Sequence, residues 1–225
     1  MLARIIGFLI NILSYLPIYI YNLLYSRFYT KWTYVMMCDR LEKKMANVKR
    51  ILDVGVGTGH PMKQIINRIP SRIRVVGIDI DTNYLRYARQ TFKQNENVEI
   101  REQNFYDLES SKEQYEAVIF SSSFMIMPDR IRALRIAKQR LSKGGSIFFL
   151  LTLEPYKNYK TVIIEKIKPY LKYITTIEFG SITYEKDFEL MLREEGLQIT
   201  SKEKVAKYSV FLAIFNMFVV EAEVI

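Results

Sequence analysis

Hydrophobic and polar positions alternate differently in two parts of this chain. From Ile5 to Tyr25 the residues read IIGFLINILSYLPIYIYNLLY, 21 in a row without a charge, which is the length a helix needs to cross a bilayer. After residue 50, apolar runs of strand length alternate with helix-like stretches, beginning with Ile51–Val54 and continuing in IRVVGIDID at residues 73–81. That alternation predicts a parallel sheet with helices on both faces. Between the two parts, RFYTKWTYVMM is basic and aromatic. The pattern therefore divides the chain into an N-terminal hydrophobic helix over residues 1–28, a linker helix over 29–50 and an α/β domain over 51–225.

The chemistry begins where the first strand ends. Residues 51–60 read ILDVGVGTGH, so the strand runs directly into Gly55, Gly57 and Gly59, as a backbone must when it turns sharply beneath a ligand. The dinucleotide fingerprint needs a glycine at the position His60 occupies, and a phosphate-cradling loop needs a lysine after its glycines; neither is present. Instead Asp53 precedes the glycines, and the second strand ends on Asp79, twenty residues after Gly59. A carboxylate there faces the ribose of a nucleoside lying across the loop and can accept from both hydroxyls. The pattern expects adenosine without phosphates.

These residues resemble the class I S-adenosylmethionine-dependent methyltransferases, and the resemblance continues along the chain. NVEIREQNFYDL looks like that family's third strand and the turn after it. YEAVIFSSSFMIMPD is similar to its fourth strand and the segment leading toward substrate. RLSKGGSIFFLLTLEP looks like its helix, glycine turn and fifth strand, ITYEKDFELMLREEGLQI like the helix before strand six, and FNMFVVEAEVI like strand seven. The resemblance covers about residues 45 to 225. It implies a Rossmann-like sheet of seven strands, mostly parallel, and S-adenosylmethionine as cofactor. It places Asp53, Gly55, Gly57, Gly59, Asp79, Ile80, Asn104 and Phe105 at the cofactor. Tyr29, Trp32 and Tyr34, from the segment that in the family folds over the cofactor, are lid candidates, Tyr29 and Trp32 also toward the acceptor. Asn104 and Glu116 stand where the family more often has aspartate, and each keeps an acceptor.

Charge refines the picture. The net charge of +9 is uneven: residues 1–50 hold eight Lys or Arg against two acids, and residues 51–225 hold 25 against 22. A nearly balanced domain is not built for phosphate backbones, so nucleic acid is not an expected partner. The basic residues from Arg27 to Arg50 outnumber Arg4, the one before Ile5, so the positive-inside rule leaves the domain on the cytosolic, or mitochondrial matrix, side. Pro17 breaks the helical hydrogen-bond ladder, and Tyr15, Tyr19, Tyr21 and Tyr25 suit a membrane interface, so a span and an in-plane helix both fit. RIRALRIAKQR at residues 130–140 reads as a solvated helix face. The single Cys38 excludes an internal disulfide and is expected on a helix, partly buried.

His60 is the only histidine. Methyl transfer from a sulfonium is an in-line displacement for which a dedicated base is optional, so an acceptor that ionises readily or is already neutral suits the site: a thiol, an amine or a phenol. Ligands of open α/β sheets collect at the strands' carboxyl ends, which places Ser122, Ser123, Phe124 and His60 toward the acceptor; no catalytic side chain is assigned and no metal is expected. The sequence thus predicts a membrane-anchored methyltransferase for a lipid or other hydrophobic small molecule. The alternatives are a methyltransferase-fold subunit of a membrane complex and a protein or RNA methyltransferase.

Overall fold

The computed structural model describes residues 30–159, 161–166, 180–205 and 216–225. The expected bilayer segment and Tyr29 lie outside them. Seven strands form one sheet: β1 (Arg50–Val54), β2 (Arg74–Asp79), β3 (Val98–Glu102), β4 (Tyr115–Ser121), β5 (Leu141–Thr152), β6 (Leu197–Lys204) and β7 (Met217–Val224). Their order is β3-β2-β1-β4-β5-β7-β6, parallel except for β7, which lies antiparallel to both neighbours. Among the described residues, the helices with defined ends are α1 (Lys31–Glu42), α2 (His60–Lys63), α3 (Thr82–Thr91), α4 (Arg130–Arg140) and α5 (Glu185–Glu194), and residues 161–166 are helical as well. This is the α/β sheet expected from the sequence.

The central strands are mostly apolar because both faces are covered. Along β5, Ile147, Phe149 and Leu151 enter one core while Phe148 and Leu150 enter the other; β4 divides likewise, with Val118 and Phe120 opposite Ala117 and Ile119. On the first face Phe120 stacks on Phe149 with ring centroids 5.5 Å apart, and Phe124 and Phe188 meet Phe149 edge-on. Glu116, at the start of β4, accepts the backbone N–H groups of Lys49 (2.9 Å) and Arg50 (2.7 Å), which fixes where β1 begins.

Two elements depart from expectation. The segment expected as a linker is α1, a helix of the domain itself: Tyr34, Met36, Met37, Cys38 and Leu41 are buried in the second core with Val205, Met217 and Val219. Its far end is held by Lys44, which reaches Glu221 (2.7 Å), Glu223 and the Ser146 hydroxyl (2.9 Å). Its near end lies at Asp53, close to the carboxyl end of β1, so α1 runs opposite to the parallel strands and its N-terminus opens on their carboxyl edge. Burial pushes the Cys38 thiol up to about 11, so it is a packing residue and not a thiolate. The helix expected after the glycines is only four residues, then i→i−3 bonds carry the chain into a 3-10 turn at Ile66–Arg68. No helix among the described residues is long and apolar enough to cross a membrane.

Candidate cofactor cradle and acceptor edge

Three left-handed glycines build the loop after β1. Gly55, Gly57 and Gly59 have φ of 73°, 55° and 71°, a region that side chains rarely enter. At two of them packing adds a second requirement: a Cβ on Gly55 would lie 2.6 Å from Ser123 Cβ, and one on Gly59 would lie 2.4 Å from the Phe92 ring. The loop is tied to β2 through the Gly55 and Val56 N–H groups, both donating to Ile78 O, and through Gly57 N–H donating to Asp79 Oδ2 at 2.9 Å.

Asp79, half-buried at the tip of β2, therefore organises the loop. Its other oxygen accepts the Asp81 N–H at 3.0 Å and the Ile80 N–H also donates to this carboxylate, which with three backbone donors keeps room for one more. Burial raises its pKa, against the backbone N–H groups that pull it down, so a further hydroxyl donor would favour the charged form. Beside it Ile80 is 71% exposed, an isoleucine left in solvent at the end of β2. The next strand ends alongside, Asp79 pairing with Glu102, and Asn104 is exposed two residues on, its Oδ1 capping Tyr106 N–H at 3.0 Å.

Several residues expected at the ligands lie inside instead. Asp53 is wholly buried, and its two oxygens accept the Tyr34 hydroxyl at 3.1 and 3.0 Å; burial pushes its pKa up to about 7 despite that bond, with the Asp79 charge adding to the rise. It supports the loop from beneath. Phe105 packs in the core 5.3 Å from Phe120, and Phe124 is fully buried in the phenylalanine cluster, because a phenyl ring at a strand end gains more from the core than from solvent. Ser123 is buried with its hydroxyl donating to Val54 O, so it packs against the glycine loop and does not face an acceptor. Ser122 has φ 57°, and its buried Oγ has no hydrogen-bond partner. Trp32 is partly buried beside the second core, with the Lys31 ammonium 5.2 Å from its ring. His60 is partly exposed at the start of α2.

The contacts of two side chains near this edge were not legible in the sequence. Tyr34, expected as a lid, is a buried partner of Asp53 nineteen residues on, and only the packing of α1 brings them together. Arg130 was read as part of a solvated face; its guanidinium is half-buried, donating to Met125 O at 2.8 Å and to Ser181 Oγ, 5.9 Å from the Phe124 ring. Nothing in the spacing of RIRALRIAKQR distinguishes it from its exposed neighbours.

The cradle suits a nucleoside without phosphates. From Asp53 to Met62 there is no Lys or Arg, and the Asp79 carboxylate that ties the loop to β2 stands beside the exposed Ile80 side chain. Residues 51–145 match the family described as a methyltransferase domain. The malonyl-[acyl-carrier protein] O-methyltransferase of Acetivibrio thermocellus is 28% identical over 200 residues, covering 78% of this chain and 68% of that protein. Among solved structures, an O-methyltransferase family protein from Burkholderia thailandensis matches with a TM-score of 0.63 at 15% identity, over 83% of this chain and 55% of its own. The mitomycin 7-O-methyltransferase matches with a TM-score of 0.60 at 14% identity, over 84% of this chain and 54% of its own. The chain thus spans about half the length of those two structures, which share its fold. Residues 51–145 are thus a methyltransferase domain of the class that takes S-adenosylmethionine as methyl donor.

Proposed function

We propose that this methyltransferase is membrane-anchored and transfers a methyl group to a thiol, amine or phenol on a lipid or other hydrophobic small molecule, with its domain on the cytosolic or matrix side. One juxtaposition carries the proposal. The uncharged stretch Ile5–Tyr25 ends five residues before Thr30, and α1, which starts at Lys31, opens on the strand edge that holds the glycine loop and Asp79. An apolar acceptor concentrated in a bilayer would meet the site there.

In this proposal Gly57, Asp79 and Ile80 hold the cofactor, Asn104 borders it, and Asp53 with Tyr34 keeps the loop in shape. S-adenosylmethionine supplies a methyl group on a sulfonium together with its leaving group. The chain's own residues position and desolvate the partners, and alignment of this kind lowers a barrier by roughly 7–11 kcal/mol in the best cases. His60, the one imidazole in the chain, stands on the acceptor side in this proposal, with no assigned proton transfer.

The test is a labelled-methyl assay on membranes containing the full chain, with and without residues 1–26. Membrane association should survive carbonate and high-salt washing, which do not weaken burial in hydrocarbon. The truncated chain should be released, still bind cofactor, and lose turnover of bilayer acceptors more than of water-soluble ones. Release of the intact chain by salt alone would sink the anchor, and cofactor binding with no transferred label to any acceptor would favour an accessory subunit.

A further inference from the structure

Three arginines in the first two turns of α4 have different surroundings. Arg132 pairs with Glu109 and Arg135 with Glu195, both as surface ion pairs. Arg130, at the first position of the helix, pairs with no carboxylate among the described residues. Its half-buried guanidinium is met by two neutral oxygens, Met125 O and Ser181 Oγ, and by the Phe124 ring. A guanidinium removed from water without a counter-charge is costly, and burial alone lowers its pKa.

Its place matters as much as its charge. Met125 belongs to the turn after β4, two residues beyond Ser123, which packs on Gly55 and bonds Val54 O. Ser181 belongs to the segment entering α5, where Thr183 O accepts Glu154 N–H at the end of β5. Arg130 therefore joins two walls of the strand carboxyl edge, one of them directly against the cofactor loop. Each wall also carries a buried hydroxyl with no hydrogen-bond partner, Ser122 Oγ and Thr183 Oγ1. Ile126, 40% exposed, leaves apolar surface beside the same turn.

We propose that Arg130 is the anion-recognising residue of the acceptor site, so that the methyl acceptor carries an oxyanion, a carboxylate or a phosphate, joined to an apolar part. This deepens the function proposed above and rests on it. A planar guanidinium held from one side by Met125 O and Ser181 Oγ keeps further N–H groups for a two-oxygen ligand. The acceptor's charge would then complete an ion pair that the protein leaves half made.

The experiment uses the full chain in detergent with S-adenosylhomocysteine bound, titrated with phenyl phosphate, benzoate and the neutral benzamide by calorimetry. The wild type should bind at least one of the two anions ten-fold or more tighter than benzamide. Arg130→Gln should erase that preference, and Arg130→Lys should keep part of it, while S-adenosylhomocysteine affinity stays within about two-fold in both. Arg135→Gln, on the same helix, should change nothing. Equal binding of all three probes by the wild type, or a preference that persists in Arg130→Gln, overturns the proposal; the wild-type comparison stands even if a variant fails to fold. Failure of the wild type to bind S-adenosylhomocysteine overturns the cofactor cradle itself, and the anion site with it. Displacement of phenyl phosphate by dihexanoyl phosphatidic acid would identify a lipid head group as the source, and its failure a free oxyanion; either supports the site.

Discussion

At Gly57 the backbone stands at φ 55° and gives its N–H to Asp79, so a side chain there is strained and disturbs the bond that ties the loop to β2. Gly57→Val should abolish S-adenosylmethionine binding in calorimetry while the circular dichroism of the fold persists; unchanged affinity would remove the loop from the site. Asp79→Ala should weaken the cofactor by about 1.5–3 kcal/mol, the range for hydrogen bonds to a charged group. Because the carboxylate also receives Gly57 N–H, Asp79→Asn, which keeps an acceptor, should lose less, and an equal loss in both variants would deny that distinction. The left-handed glycine turn and the acid at the tip of β2 were legible in the sequence because few other residues suit those backbone positions. Phe105, Phe124 and Ser123 were not: a side chain at a strand end reads the same whether it turns toward a ligand or into the core, and only the neighbouring strands decide.

Elements couple at the Tyr34–Asp53 pair, where α1 meets β1 beneath the loop. The Asp53 pKa of about 7 lies above its ordinary 3.8, so between those values the folded chain holds a proton that the unfolded chain has released. Stability should therefore fall as pH rises through that window and level off above about 7. Urea unfolding of Asp53→Asn, compared with wild type from pH 5 to 8, should lack this component; parallel curves would show that Asp53 does not titrate there. In Tyr34→Phe the bond that favours the charged carboxylate is gone, so the decline should extend to higher pH. The parallel sheet follows from clear alternation, and α3 and α4 from good caps, Asp81 and Asp129 on the first-turn N–H groups. The place of α1 does not, since KWTYVMMCDRLE looks alike as an interfacial belt and as a helix packed on a sheet. Burial of Tyr34, Met37 and Leu41 settles that it packs.

For the molecule as a whole, the direction of α1 acts as a leash. Its N-terminus opens on the edge that carries the glycine loop, and Tyr25 precedes Thr30 by five residues, which span at most about 18 Å when fully extended. If Ile5–Tyr25 enters a bilayer, the domain cannot turn its opposite edge, where Lys44 holds Glu221 and Glu223, toward that bilayer without drawing the leash around its own flank. Tether length then becomes a kinetic variable. Inserting 10 and then 20 Gly-Ser residues after Tyr25 should lower turnover of a bilayer-resident acceptor stepwise, roughly as the −3/2 power of linker length, and leave a water-soluble acceptor unaffected. Equal rates at every length would mean that the two ends of the leash never work together. A five-residue leash would make the membrane itself one wall of the reaction vessel.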